Sequence, residues 1–383
     1  MSVTAARGFR AAGVAAGLKD SGRPDVALVV NDGPSSVAAG VFTTNRVVAA
    51  PVVWTREVLK TRELKAVVLN SGGANACTGP DGFADTHHTA EHVAAELGLD
   101  PLDIGVCSTG LIGQRLDLDT LLPGASAAVE VLSSDGGSDA AVAIMTTDSV
   151  PKEAVIEGSG FVVGGMAKGA GMLAPGMATM LCVLTTDAAV DANIAQAALA
   201  RAVELSFNRI DSDGCMSTND TVLLMVSGAA GTVPDPIDFE VAVSAACAQL
   251  ARAMVADAEG ASKDVRLEVT GAASENDAVT VGRAVARSNL FKCAMHGEDP
   301  NWGRIVSAVG TTAAAFEPDE LGVWVNGIEV CRAGAGFADP AEADLSGREI
   351  QVRVDLQAGE ASAVIWTNDL TSEYVHENSA YST

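Results

Sequence analysis

A single threonine, Thr179, stands where the sequence changes character abruptly. Gly, Ala, Pro and Met precede it in KGAGMLAPGMAT (168–179), and an apolar run from Met180 to Leu184 follows it. A loop entering a β-strand would give this pattern. A self-cleaving chain would give it too, because a cut after the small residue Ala178 turns Thr179 into an N-terminal residue. Its own α-amine, with a pKa of about 7.7–8.0, then takes the hydroxyl proton and activates the oxygen as a nucleophile.

Acyl chemistry of this kind also needs hydrogen-bond donors for the oxyanion that forms during attack. The segment GVCSTGLIGQRL (105–116) offers the hydroxyl of Thr109, and Gly110 beside it lets the backbone approach a substrate closely. A turn from a strand into a helix, with Ser108 or Thr109 as the N-cap, fits the same residues. The spacing alone leaves both interpretations open.

Two other segments suggest chemistry at first sight. HGEDPNWGRI (296–305) brings His296, Glu298 and Asp299 together, but side chains so close in sequence rarely converge on one metal ion. NSGGANACTG (70–79) is rich in Gly but lacks the lysine of a phosphate-binding loop. We therefore expect a structural or site-wall loop from the first, a tight turn near the active site from the second, and no metal or bound cofactor.

The elements that must position these residues follow from periodicity. Strands are predicted at 26–31, 47–55, 65–70, 180–186, 221–226 and 265–269. Helices are predicted at 84–96, 194–207 and 239–258. Residues 149–160 read as a solvated connection. Strands and helices mix without a strict alternation, which favours an α+β protein whose sheets are covered by helices on their outer faces.

Composition excludes several classes of function. The 383 residues include 49 acidic and 24 basic side chains, a formal charge of −25, which repels nucleic acid and anionic membranes. Seven cysteines without a CxxC pair predict free thiols rather than disulfides or zinc ligands. The first twenty residues are dominated by Ala and Gly and interrupted by Arg10, so they do not resemble a secretory signal. We expect a cytoplasmic protein.

Taken together, the motifs resemble those of the ornithine acetyltransferase family, the bifunctional glutamate N-acetyltransferases of arginine biosynthesis. The resemblance runs along the whole chain in order. It rests on KGAGMLAPGMATML (168–181), NSGGANACTG (70–79), CSTGLIG (107–113), IMTTD (144–148), SFNRIDSDG (206–214), STNDT (217–221), DAEGASK (257–263), HGEDPNWGRI (296–305) and YVHENSAYST (374–383).

The resemblance implies a layered α/β/β/α sandwich, loosely similar to N-terminal-nucleophile hydrolases. It implies self-cleavage between Ala178 and Thr179, giving an alpha chain (1–178) and a beta chain (179–383) that form one intertwined body, with two copies of each in the assembly. Thr179 would carry the acetyl group from N2-acetylornithine to glutamate. The residues that match the family's functional positions are Thr109 and Gly110 for the oxyanion hole, and Thr146, Lys168, Thr179, Glu259, Asn378 and Thr383 for substrate binding.

Some alternatives stay open. Thr147 lies next to Thr146 and could be the contacting residue. Some members of the family also use acetyl-CoA as the acetyl donor, and the sequence does not separate the two types. A related self-processing amidohydrolase or aminopeptidase would pass the acyl group to water, and a binding protein would not cleave itself at all.

Overall fold

The computed structural model describes residues 2–174 and 180–380. Within them lie fifteen strands and ten α-helices. The strands are β1 (Phe9–Val14), β2 (Val26–Asn31), β3 (Ala38–Phe42), β4 (Ala66–Asn70), β5 (Ile104–Ser108), β6 (Lys152–Glu157), β7 (Val162–Lys168), β8 (Leu181–Thr186), β9 (Thr221–Val226), β10 (Asp264–Ala272), β11 (Gly322–Val325), β12 (Ile328–Arg332), β13 (Ala335–Gly336), β14 (Glu349–Asp355) and β15 (Ala361–Asn368). The helices are α1 (Ala50–Val58), α2 (Gly79–Leu97), α3 (Leu118–Glu130), α4 (Gly137–Ala143), α5 (Ala192–Leu205), α6 (Pro236–Ala256), α7 (Glu275–Ala286), α8 (Asn289–His296), α9 (Trp302–Val309) and α10 (Ser372–Ala380).

The N-terminal sheet has the strand order β1-β2-β4-β5. Its strands β2, β4 and β5 are buried at every residue and are apolar except for the last residue of each, Asn31, Asn70 and Ser108. Strands of this composition need cover on both faces. Helices α1 to α4 supply residues to the core around this sheet, and a second sheet contributes the rest of that core.

The second, central sheet has the order β3-β9-β8-β7-β6, with β8 and β9 parallel in the middle. Side chains alternate along its strands. Met166, Val183 and Leu223 join the core shared with the N-terminal sheet, whereas Leu184 and Leu224 point the other way, into the core formed with α5 and α6. This period of two produces the expected order of layers, helix, sheet, sheet, helix, and the α+β sandwich is confirmed.

The central sheet also joins distant parts of the chain. Strands β3, β6 and β7 precede residue 178, and β8 and β9 follow it. The neighbours β7 and β8 pair from Lys168 opposite Leu181 to Val163 opposite Thr186.

A third, C-terminal sheet was not anticipated from the sequence. It has the order β13-β12-β11-β14-β10-β15 and builds its own core with α7, α8 and α9. Its strand β15 also contacts α6.

Two predicted segments were wrong. The β-branched run at 47–55 is largely helix α1, because Pro51 starts the helix and places Trp54, Thr55 and Val58 on its buried face. Residues 149–160 contain β6 at the edge of the central sheet rather than a solvated connection. The other five predicted strands and all three predicted helices are present, with boundaries shifted by a few residues.

Helix α6 is long and apolar enough to cross a membrane by composition, the one helix of this kind among the described residues. Half of its apolar window is buried inside the protein. Phe239, Cys247 and Leu250 on α6 are fully buried in the core of the central sheet. The helix is therefore a core element of the fold.

Candidate active site

Thr109 lies directly after β5, at the point where two loops of the N-terminal sheet meet. Its amide donates to the carbonyl of Asn70 at 3.0 Å, and it forms an isolated bridge with Gly73. The side-chain amide of Asn219 donates to the carbonyls of Ala74 and Ser108 and ties the two loops together. The predicted turn at 70–79 therefore lies beside Thr109, as expected.

Gly110 has a backbone that a side chain would not tolerate. Its φ is +131°, and an added Cβ would come 2.8 Å from the nitrogen of Gly73. The alternative role of Ser108 or Thr109 as a helix cap is wrong, because helix α3 begins only at Leu118 and its N-cap is Asp117. The close backbone approach is the property that an oxyanion-binding turn requires.

Lys168, the last residue of β7, approaches Thr109 from the central sheet. Its ammonium nitrogen lies 3.5 Å from the hydroxyl oxygen of Thr109, and its side chain is buried. Burial lowers the pKa of Lys168 below its usual value, and the carboxylate of Asp148 acts against this shift. The structure thus brings two of the predicted site residues together in a place that water hardly reaches.

Asp148 organises the backbone around this lysine. Its carboxylate accepts the amide hydrogens of Thr146 (3.0 Å) and Gly169 (2.7 Å) and the ammonium of Lys152 (2.6 Å). Burial would raise the pKa of Asp148, but the charges of Lys168 and Lys152 lower it to about 2. Lys152 also binds Asp257, at 2.5 Å. This network, absent from the sequence predictions, fixes the segments that carry Thr146 and Lys168.

Glu259 joins two further predicted segments. One carboxylate oxygen accepts the hydroxyl of Thr147 at 2.6 Å, and the other accepts the side-chain amide of Asn378 at 3.0 Å. A Cβ on Gly171 would lie 2.5 Å from this carboxylate, so a larger residue there would require the Glu259 side chain to shift. It is thus Thr147 whose hydroxyl contacts Glu259, while the amide of Thr146 contacts Asp148.

The C-terminal helix α10 docks on the loop that carries Glu259. The hydroxyl of Thr371 donates to the carbonyl of Gly260 at 2.6 Å, and the amide of Tyr374 donates to the same hydroxyl oxygen at 2.9 Å. The tail therefore contacts the protein through Thr371, Tyr374 and Asn378. Thr383 lies outside the described residues.

The loop 211–220 holds both ends of the segment predicted to be cleaved. The amide of Leu173 donates to Asp213 at 3.0 Å, and the amide of Met180 donates to Asp220, also at 3.0 Å. Burial raises the pKa of both carboxyl groups. Ala178 and Thr179 themselves lie outside the described residues, between these two anchors. In the sequence, these acidic residues stand in a loop directly before the apolar strand β9. That pattern could have marked them as functional, but the sequence analysis gave them no role.

A cavity of about 220 Å³ adjoins Glu259. Asp213 and Glu259 line it with acidic groups, and Arg287 and Lys292 line it with basic ones. Burial lowers the pKa of Lys292 to about 8, while nearby acidic groups such as Asp213 act against this shift. Groups of both signs beside one small cavity suit a ligand that carries both charges, such as an amino acid.

The side chains of His296 and Glu298, which the sequence analysis considered and rejected as metal ligands, contact other side chains of the protein. His296 lies 3.0 Å from the carboxylate of Asp369, and Glu298 pairs with Lys263 at 2.9 Å. Across residues 2–174 and 180–380, no group of three or more His, Cys, Asp or Glu side chains could hold a metal ion.

Comparison with known proteins gives consistent matches along the chain. The model of the ArgJ family matches residues 10–383. The arginine biosynthesis bifunctional protein ArgJ of Streptomyces avermitilis is 60% identical over 382 residues, covering 100% of both chains. The protein of the same name from Mycobacterium leprae is 54% identical over 388 residues, covering 99% of this chain and 95% of the relative.

Two solved structures are also similar. An ornithine acetyltransferase complexed with ornithine, from Mycobacterium tuberculosis, is 56% identical, covers 47% of this chain and 96% of its own, and has a TM-score of 0.43. The arginine biosynthesis bifunctional protein ArgJ of Bacillus halodurans is 34% identical, covers 51% of this chain and 97% of its own, and has a TM-score of 0.49.

Proposed function

This chain belongs to the ArgJ family, and we propose that it transfers the acetyl group of N2-acetylornithine to glutamate through an acetyl ester of Thr179. Membership of the family confirms the resemblance inferred from the sequence, and with it the class, an acyltransferase of arginine biosynthesis. The observation that carries the proposal is the convergence of Thr109, Lys168 and Glu259, from three separate motifs, around the anchored ends of the segment 174–179.

In the self-cleavage that we propose, the hydroxyl oxygen of Thr179 attacks the carbonyl carbon of Ala178. The new C–O bond replaces the C–N bond, and the hydroxyl proton passes to the departing amine of Thr179. Water then hydrolyses the ester and leaves a carboxylate on Ala178 and a free hydroxyl and α-amine on Thr179. The two products are the chains 1–178 and 179–383, which the shared central sheet would keep in one body.

In the transfer reaction, the α-amine of Thr179 takes the hydroxyl proton while the oxygen attacks the acetyl carbon of N2-acetylornithine. The C–N bond of the amide breaks, and the departing ornithine amine takes the proton. The amine of glutamate then attacks the acetyl-threonine and loses its proton to the Thr179 α-amine, which passes it to the leaving hydroxyl. Thr109 and the backbone at Gly110 would stabilise the oxyanion in each step.

The charges around the site support two polar substrates. Lys168 suits a substrate carboxylate as a point charge. Glu259, held by Thr147 and Asn378, suits the ammonium group of an amino acid, and the adjoining cavity has room for part of such a ligand. Thr146 and the terminal Thr383 are the remaining proposed contacts. We also propose that acetyl-CoA can serve as a second acetyl donor. The assembly would contain two copies of each chain and would be located in the cytoplasm.

Intact-mass measurement of the purified protein tests the cleavage. We expect two chains that divide after Ala178, and a single chain in the variant Thr179→Ala. An assay with N2-acetylornithine tests the transfer, because ornithine release should depend on added glutamate. Release at the same rate without glutamate would instead indicate an amidohydrolase, and an uncleaved wild-type chain would contradict the proposed nucleophile.

A further inference from the structure

Arg287 directly follows α7 and lines the cavity that adjoins Glu259. Its Nε donates to a carboxylate oxygen of Asp211 at 2.8 Å, and the Asp211 side chain is fully buried. The Arg287 side chain itself is half-exposed. Within residues 2–174 and 180–380, no hydrogen bond reaches its two terminal nitrogens. Arg287 is thus fixed through one nitrogen of its guanidinium and keeps the other two for a ligand.

The second cation of the cavity, Lys292, has no donor to spare. Its ammonium donates to the carbonyl of Ser212 at 2.7 Å, to the hydroxyl of Thr367 at 3.2 Å and to the carbonyl of Asn368. An ammonium has three N–H groups, so protein acceptors use all of them. Lys292 therefore holds the wall of the cavity together. Among the described residues that line the cavity, Arg287 is the cation with donors available.

The acidic side of the cavity suits one proposed substrate and opposes the other. Glu259 and Asp213 supply its carboxylates. N2-acetylornithine has a side chain that ends in an ammonium, whereas the side chain of glutamate ends in a carboxylate. Both substrates react through the nitrogen on the α-carbon, so their side chains extend into the same region. The two acidic groups attract the first side chain and repel the second, unless a cation also faces it.

The size of the cavity favours the side chain of one amino acid. Its volume is about 220 Å³, below the roughly 300–1,000 Å³ of pockets for drug-sized ligands. Leu370 and Tyr374 belong to its wall, so the methylene groups of a short side chain find apolar contacts there. The charged end of that side chain then meets the groups of opposite sign described above.

We infer that Arg287 selects the acetyl acceptor, and that its two terminal nitrogens bind the side-chain carboxylate of glutamate. This inference rests on the proposed function. A guanidinium is planar and matches a carboxylate with two parallel hydrogen bonds. The bond from Nε to Asp211 fixes the guanidinium before glutamate arrives, so less conformational entropy is lost on binding. Glu259 and Asp213 serve the ornithine side chain, and one cavity thereby accepts two substrates of opposite charge.

The test is the acceptor specificity of Arg287→Gln. In a ping-pong reaction, kcat/KM for each substrate reports its own half-reaction. Loss of the charge-assisted contact should lower kcat/KM for glutamate about tenfold to a hundredfold and leave the value for N2-acetylornithine nearly unchanged. Glutamine has the same shape without the charge, so the preference for glutamate over glutamine should shrink by a similar factor. Arg287→Lys keeps the charge without the planar group and should recover part of this preference.

Arg7→Gln is the matched control. The Nε of Arg7 also donates to a buried carboxylate, that of Asp187, at 3.2 Å. Asp187 directly follows the last residue of β8, whereas Leu181, at the other end of this strand, is next to the site. The control should keep the wild-type preference for glutamate. An unchanged preference in Arg287→Gln, an equal loss for both substrates, or the same change in Arg7→Gln would overturn the role of Arg287.

Binding measured without turnover separates this inference from the proposed function. In calorimetry with glutamate alone, Kd should be about tenfold to a hundredfold higher for Arg287→Gln than for wild type, and equal values would contradict the inference. A wild-type protein that transfers no acetyl group to glutamate would refute the proposed function instead. Should the variants not fold, a crystal structure of wild type with glutamate decides. A terminal nitrogen of Arg287 is expected about 3 Å from the side-chain carboxylate, and a separation beyond about 4 Å would exclude the contact.

Discussion

The ammonium nitrogen of Lys168 and the hydroxyl oxygen of Thr109 lie 3.5 Å apart, although the two residues belong to different sheets. Lys168 ends β7 of the central sheet, and Thr109 follows β5 of the N-terminal sheet. Both side chains are buried. The site is therefore formed at the junction of the two sheets, and each residue depends on the packing of the other's sheet for its position.

The hydroxyl of Thr109 is expected to act in the transition state. Thr109→Val keeps the shape of the side chain and removes the donor, so kcat should fall by about 10²- to 10³-fold, or about 2.7–4 kcal/mol. Steady-state kinetics at saturating substrate measure this. Thr89→Val on α2 is the control, because the Thr89 hydroxyl donates to the backbone carbonyl of Asp85 within its own helix. Equal kcat values for the two variants would remove Thr109 from the site.

Gly110 should tolerate no side chain for a steric reason. Gly110→Ala would force a Cβ within 2.8 Å of the Gly73 nitrogen and push the two loops apart. Gly113→Ala is the matched control, since Gly113 also has positive φ (+88°) but has no atom within 4 Å of the added Cβ. Both variants should lose about 1–2 kcal/mol of unfolding free energy from backbone strain. We expect acetyl transfer to be abolished only in Gly110→Ala; comparable activities would show that the close approach is unimportant.

The charge of Glu259 should govern substrate affinity. Glu259→Gln keeps the length of the side chain but weakens its interaction with an ammonium group, so KM for N2-acetylornithine should rise about tenfold to a hundredfold. Glu240→Gln, on helix α6, gives the control with the same change of charge. If KM stays at the wild-type value in both variants, Glu259 has a structural role, such as binding Thr147 and Asn378, and does not bind the substrate.

Asp148 should make the protein sensitive to acid. Its pKa in the folded protein, about 2, is below the usual 3.8, so its contribution to stability is complete above pH 4 and is lost as the pH falls through 2. The stability difference between wild type and Asp148→Asn should therefore shrink by about 2 kcal/mol over this range, as measured by urea unfolding. Asp32→Asn removes an exposed partner of Arg10 and should change stability by less than about 1 kcal/mol. A difference that does not vary with pH would contradict the role given to Asp148.

The sequence predicted the fold best where local pattern and burial agree. Clear local patterns mark several elements: apolar runs in β2, β4 and β9, and helical spacing of apolar residues in α5 and α6. All of these elements were found. The region of α1 was misread because its valines favour a strand, whereas Pro51 and the packing of Trp54 favour a helix. β6 was missed because Lys152 looks solvated, and one of its two carboxylate partners, Asp257, lies 105 residues away. Such a partner cannot be recognised from local sequence.

The same limit applies to the site. The motifs containing Thr109, Lys168 and Glu259 were each recognised, but their mutual contacts depend on how three sheets and a C-terminal helix pack. Asp148, Asp213 and Asp220 lie inside quoted motifs and received no role, because a carboxylate that binds backbone amides has no spacing signature. The hydroxyl contact of Thr147 with Glu259 is likewise visible only in the structure, and whether Thr146 or Thr147 contacts the substrate stays a prediction.

In the central sheet, β7 and β8 are neighbours although they lie on opposite sides of residue 178 in the sequence. This pairing affects how the protein folds and how it would respond to cleavage. The proposed cleavage after Ala178 would leave every pair of the β7–β8 ladder in place, so we expect the two halves to unfold together in one cooperative transition. In either half alone, the backbone N–H and C=O groups of β7 or β8 would lack their partner strand. We therefore expect the two halves to aggregate when they are produced as separate polypeptides. If the proposed cleavage occurs, the uncut chain is therefore what allows the two halves to fold together, and the peptide bond between them is not needed afterwards.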